Sequence, residues 1–140
     1  MGMDFFLYVI KNEGKEKYSV EELVYLANAR ADIIGNWLCT NHSGQITHYN
    51  NIYTECFMST LEELYEHLTL VLNQEDAIKR DYYAMFYLPP RLKVGSWCSG
   101  SEMFSESYYM DLERIKLGLE KIVNNDSFDD STVFMYHIEV

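Results

Sequence analysis

The order of apolar and polar positions along the chain predicts an alternation of strands and amphipathic helices. Asp4 to Ile10 is apolar at nearly every position, the pattern of a strand covered on both faces. Lys11 to Lys17 reads as a charged turn. Ser19 with Glu22 forms a capping box, and Val20, Leu23, Val24 and Ala27 follow as a helical face running toward Ile34 and stopping near Gly35. Three short β-like runs come next: Asn36–Thr40, Gln45–Tyr49 and Ile52–Met58. The turn sequences Asn41-His42-Ser43-Gly44 and Asn50-Asn51 separate them, so an antiparallel meander is expected.

Ser59/Thr60 ahead of Glu62/Glu63 repeats the capping signature. Leu61, Leu64, Tyr65, Leu68, Val71 and Leu72 then form one helical stripe, with His67 placed near its solvent side. Tyr82–Leu88, aromatic and ended by Pro89-Pro90, predicts a strand partnered by Leu92–Cys98. A further helix is expected from about Ser107 to Val123, with Tyr108, Leu112, Ile115, Leu119 and Ile122 on one stripe and Asn124-Asn125-Asp126 at its end. Thr132–Val140 alternates Phe134, Tyr136, Ile138 and Val140 on one face, as a half-buried strand does. The expected fold is a single α+β domain over residues 1–140, a mainly antiparallel sheet of about six to seven strands packed by three helices.

Composition narrows the function classes. The 140 residues carry 22 acidic and 11 basic side chains, a net charge of −11, yet 48% are hydrophobic, too many for a disordered acidic tail. That charge opposes direct nucleic-acid binding, which needs clustered cations. Phe5–Ile10 is far shorter than the roughly 20 residues of a membrane span, and no basic segment precedes it. Gly2 is followed by Phe6 where an acylation motif has Ser or Thr. Cys39, Cys56 and Cys98 are odd in number and widely spaced, which suits reduced thiols. A cytoplasmic protein without membrane partner or cofactor is the expectation.

Two local strings invite chemistry. Cys39-Leu-Thr-His42, with His48 and Cys56 nearby, has zinc-like spacing but no second tight ligand pair, so buried cysteines and turn histidines are expected instead. Gly95-Ser-Trp-Cys98-Ser-Gly100 could expose a thiolate, with His137 or His67 as base and Trp97 beside it. No cation closer than Lys93 lowers that thiol's pKa, so a small enzyme or ligand-binding domain with a Cys98/His137 pocket is the alternative reading. Phosphate-loop, dinucleotide and nucleophile-elbow signatures are absent, and His67-Leu-Thr69 lacks the second His-x-Thr element of a two-histidine phosphodiesterase.

The charge is concentrated. Glu55 to Asp76 holds six acids and Ile122 to Val140 four, with no lysine or arginine in either stretch. Twelve tyrosines accompany them, a residue type that gives large contact area at low entropic cost. In composition this resembles small inhibitor proteins, namely phage anti-defence proteins (anti-CRISPR and anti-restriction types) and immunity proteins of nuclease toxins. The resemblance implies a non-enzymatic inhibitor of a basic nucleic-acid-handling protein. Glu62, Glu63, Glu66, Asp126, Asp129 and Asp130 are the candidate phosphate mimics, and Tyr82, Tyr83, Tyr108 and Tyr109 the candidate anchors. A homo-oligomeric module, burying tyrosines between copies, is the third reading.

Overall fold

The computed structural model describes residues 3–14, 17–29, 33–34, 37, 52–88 and 105–139. Its elements are β1 (Met3–Gly14), β2 (Lys17–Ala29), β3 (Ile52–Phe57), α1 (Met58–Leu72), α2 (Ala77–Tyr87), α3 (Glu106–Val123) and β4 (Val133–Glu139). The strands form one antiparallel sheet in the order β2-β1-β4-β3. The fold is therefore α+β as expected, with four strands among the described residues rather than six to seven.

The sheet's inner face is built by rows of facing residues. Val9 stands opposite Phe134, which stands opposite Cys56, and Leu7 lies between Val24 and Tyr136. All six are buried, and the helices pack against them. Each such large side chain contributes about 1.5–3 kcal/mol through burial. On α1, Leu61, Leu64, Leu68 and Val71 are buried, and on α3 Tyr108, Tyr109, Leu112, Ile115, Leu119 and Ile122. Ser105 caps α3, its Oγ accepting from the Tyr108 N–H at 3.2 Å. At the far end Asn124 closes the helix with Lys121 in the last turn. Glycine is required at one point: a Cβ on Gly118 would collide with Val24, so α3 crosses β2 closely there.

The largest departure from expectation is β2. The segment predicted as a helix after Ser19 is a strand paired along β1. Its pairing passes from Leu7↔Val24 to Tyr8↔Glu22, so Leu23 is an extra residue, and another irregularity lies between Met3 and Phe5. Each bulge resets which residues share a face, and the resulting spacing imitates a helical period. The Ser19/Glu22 capping box is therefore not a cap. β1 likewise continues through the charged residues to Gly14, where a turn was expected.

Tyr82–Leu88 is not a strand but belongs to α2, which Asp76 caps by accepting from the Ile78 N–H at 3.0 Å. β3 passes directly into α1, whose N-cap is Phe57, without a side-chain hydrogen bond, so Ser59 and Thr60 cap nothing. Trp37, placed by sequence in a strand, is helical and fully buried, as are the helical residues Ile33 and Ile34. The rest of Asn36–Thr40 lies outside the described residues, together with Gln45–Tyr49 and Leu92–Cys98. Among the described residues no helix is long and apolar enough to cross a membrane.

Candidate functional site

Among the described residues a groove of about 900 Å³ lies where the β1–β2 ribbon runs past the start of β4. Ile10, Leu23, Ile122, Phe128 and Val133 supply apolar walls, and Glu21, Glu22, Asp129 and Lys121 the charged ones. Beyond the bulge at Leu23 the pairing is regular, with Glu22 opposite Tyr8 and Glu21 opposite Val9, and both glutamates are exposed at the groove.

The opposite wall is the loop between α3 and β4. Asn125 Oδ1 accepts from the Ser127 N–H at 2.9 Å, and Phe128 packs edge-on against Phe134 at 5.5 Å. Asp129 Oδ1 accepts from the Ser131 N–H at 2.8 Å while the Asp129 N–H donates to Thr132 Oγ1 at 3.0 Å. Hydrogen bonds from Ser131, and then Thr132, hold the Asp129 carboxyl below its ordinary range, so it stays ionised. The C-terminal end of α3 borders the same groove, and its last carbonyls add partial negative charge. Among the described lining residues, Glu21, Glu22, Asp129 and the C-terminal end of α3 stand with Lys121 beside the apolar walls.

The sequence-predicted residues are distributed unevenly around this geometry. Asp129 lines the groove, and Asp126 and Asp130 are exposed on the same loop. Glu62 and Glu66 are exposed on α1 and Glu63 half-buried there, and none of the three borders the groove. Glu21 and Glu22 were missed as site residues, because only a strand assignment for Lys17–Ala29 would have set them beside β1.

Tyr82 is 68% exposed and Tyr83 half-buried on α2, whereas Tyr108 and Tyr109 are interior, at 4% and 5%. Those two are core residues, not surface anchors. The Tyr109 hydroxyl donates to Asp81 and its ring carries the Arg80 guanidinium 3.7 Å from the centroid, so the pair ties α2 to α3. Burial, then the hydrogen bond to Asp81, raises the Tyr109 pKa.

Of the histidines and cysteines offered as chemistry, the structure describes His67, His137 and Cys56. His67 is half-buried rather than solvent-facing: its Nδ1 accepts from the indole N–H of buried Trp37 at 2.9 Å, and its ring meets Tyr87 at 5.0 Å. Thr69 Oγ1 donates to the Tyr65 carbonyl within α1. His137 is buried on the sheet, stacked on Phe6 at 5.5 Å. Burial pushes the Cys56 thiol up to about 12, keeping it protonated and poor as nucleophile or metal ligand. Cys39, His42, His48, Trp97 and Cys98 lie outside the described residues, and among the described ones no three His, Cys, Asp or Glu side chains converge as a metal site.

Comparison of the chain with protein-family models, curated proteins and solved structures gives no match.

Proposed function

We propose that this chain is a protein-binding inhibitor that engages a basic, nucleic-acid-handling protein and occupies its phosphate-binding surface. The observation that supports this most is the groove, where Glu21, Glu22 and Asp129 stand over apolar walls at the C-terminal end of α3. Lysine and arginine side chains of a partner fit both features, their stems against Leu23, Ile122 and Phe128 and their charges on the carboxylates. Asp126 and Asp130, exposed on the same loop, extend the negative field that steers association, and Glu62 and Glu66 extend it on α1.

The test begins with capture from nuclease-treated lysate and continues with the purified partner. Duplex DNA or RNA should compete with the protein for that partner, and affinity should fall steeply between about 50 and 200 mM salt. Reversing Glu22 and Asp129 to lysine should weaken binding at least about tenfold. Salt-independent affinity, or a partner indifferent to nucleic acid, would overturn the proposal.

The groove's size favours one second reading, a ligand-binding domain, since about 900 Å³ falls within the roughly 300–1,000 Å³ of small-molecule sites. His137 is buried beside Phe6 and Cys98 lies outside the described residues, so this reading rests on the groove. Calorimetry with spermidine as probe separates the two: one saturable site lost in Glu22→Lys supports a small cationic ligand, and no heat supports the protein partner.

A further inference from the structure

Trp37 and His67 are joined by a hydrogen bond that exists in only one charge state of the histidine. Trp37 is fully buried, and its indole N–H donates to Nδ1 of His67 on α1 at 2.9 Å. An indole nitrogen is a donor only, so the imidazole nitrogen it meets is an unprotonated acceptor and the ring proton of His67 sits on Nε2. An imidazolium carries a proton on both nitrogens and offers no acceptor. Protonating His67 therefore removes this bond and sets two N–H groups against each other.

The bond lies where three parts of the chain meet. The Trp37 and His67 rings pack edge to face at 5.8 Å, His67 meets Tyr87 at the end of α2 at 5.0 Å, and Tyr83 stands against Tyr87 at 5.9 Å. Trp37 belongs to the same buried cluster as Leu64 and Leu68 of α1 and Ala84 of α2. A buried donor deprived of its acceptor is costly, so the protonated ring and the indole separate.

The groups around His67 oppose one another. On α1, Glu63 lies one turn before it and is half-buried, as His67 is, while Glu66 is exposed at the adjacent position. On α2 the titratable neighbours are the phenols of Tyr87 and Tyr83, and Arg80 lies over the Tyr109 ring instead. On the side of Trp37, among the described residues, the group in contact is the indole itself. A carboxylate four residues ahead of a cation on a helix stabilises it, so Glu63 favours the charged ring and Trp37 the neutral one.

We infer that His67 is a proton-operated latch. Neutral, it holds the buried indole of Trp37 and seats the end of α2; protonated, it releases Trp37 and turns to Glu63. Histidine ordinarily changes charge between about pH 5 and 8, so mild acidification opens the latch. Trp37, His67 and Glu63 do not line the groove, and the latch stands or falls independently of what the groove binds.

The test is a proton–nitrogen NMR titration of the full chain from about pH 7.5 to about 5. The chain has two tryptophans, and Trp97→Phe identifies the indole signal of Trp37. At neutral pH the ring nitrogens of His67 should report the Nε2–H tautomer. On acidification the Trp37 indole N–H should shift and exchange with water several-fold faster, with the midpoint of the His67 ring, and Trp37 emission should move to the red. His67→Gln, whose side-chain carbonyl can accept from the indole at every pH, should hold signal and emission constant with circular dichroism unchanged. An Nδ1–H tautomer at neutral pH overturns the inference, as does an indole signal indifferent to the charge of His67. So does a response that persists in His67→Gln. The tautomer and the shared midpoint are read with His67 in place, so they decide the matter even where the glutamine variant does not fold.

Discussion

The groove and the outer face of α2 are opposite solutions to being exposed. The groove gathers charge, and its walls are grown from deeply packed elements: α3 buries six side chains, and Ile122 is a fully buried residue that also lines the groove. The α2 face gathers apolar surface, on a helix that buries Ala84 alone within its span and is tied down by the Arg80–Tyr109–Asp81 contact. The difference teaches which exposed positions can be altered without touching the core. Changes within the groove's apolar walls strike the core, whereas changes on the exposed face of α2 leave it intact.

Mutations that separate packing from recognition test this contrast, beginning with the largest effect. Ile122→Ala should cost about 2–5 kcal/mol in denaturant unfolding, because it leaves a cavity between α3 and the sheet as well as enlarging the groove. A cost under about 1 kcal/mol would mean that the groove is not part of the core. Gly118→Ala should destabilise by about 1–2 kcal/mol, the collision with Val24 outweighing alanine's better helix propensity. A more stable variant would show that α3 can lift away from β2.

Tyr109→Phe should cost about 1 kcal/mol, keeping the ring under Arg80 while removing the hydroxyl bond to Asp81. Its pH dependence has a definite sign. The folded Tyr109 pKa is raised, so its contribution is complete below the unfolded value of about 10 and is lost as pH rises beyond that. Wild type should therefore lose stability more steeply than Tyr109→Phe above about pH 10, and parallel curves would remove the hydroxyl from this role. Smallest of all, Phe86→Ser on the exposed α2 face should change stability by no more than about 0.5 kcal/mol, read by the same unfolding curves.

Much of the helical framework was legible in the sequence. The stripes of α1 and α3 run for several turns, long enough for a 3.6-residue period to stand out, and β4 alternates cleanly. β2 was illegible because pairing irregularities interrupt its alternation, an effect visible only once β1 lies beside it. α2 resembles a strand in sequence for a different reason: with Tyr82, Met85 and Phe86 outside and Ala84 inside, its apolar residues follow almost without interruption and no period survives. Asp129 stands out in sequence because an acid beside Ser and Thr in a turn is recognisable locally, while a helical reading of Lys17–Ala29 hides the placement of Glu21 and Glu22 beside β1. Tyr108 and Tyr109 resemble surface anchors only by residue type, for Tyr108 shares the stripe of Leu112, Ile115 and Leu119, whose periodicity turns it inward.

The place of β4 between β1 and β3 sets the timing of folding. Its Phe134 and Tyr136 close rows begun by residues more than a hundred positions earlier, Val9 and Leu7, and by Cys56 and Thr54 on the other side. Until residues 133–139 arrive, the β1–β2 ribbon and β3 are not joined through the sheet, and each presents an unsatisfied edge. Such long-range closure predicts slow folding, with β4 as the latecomer on which the cooperativity of the whole sheet depends.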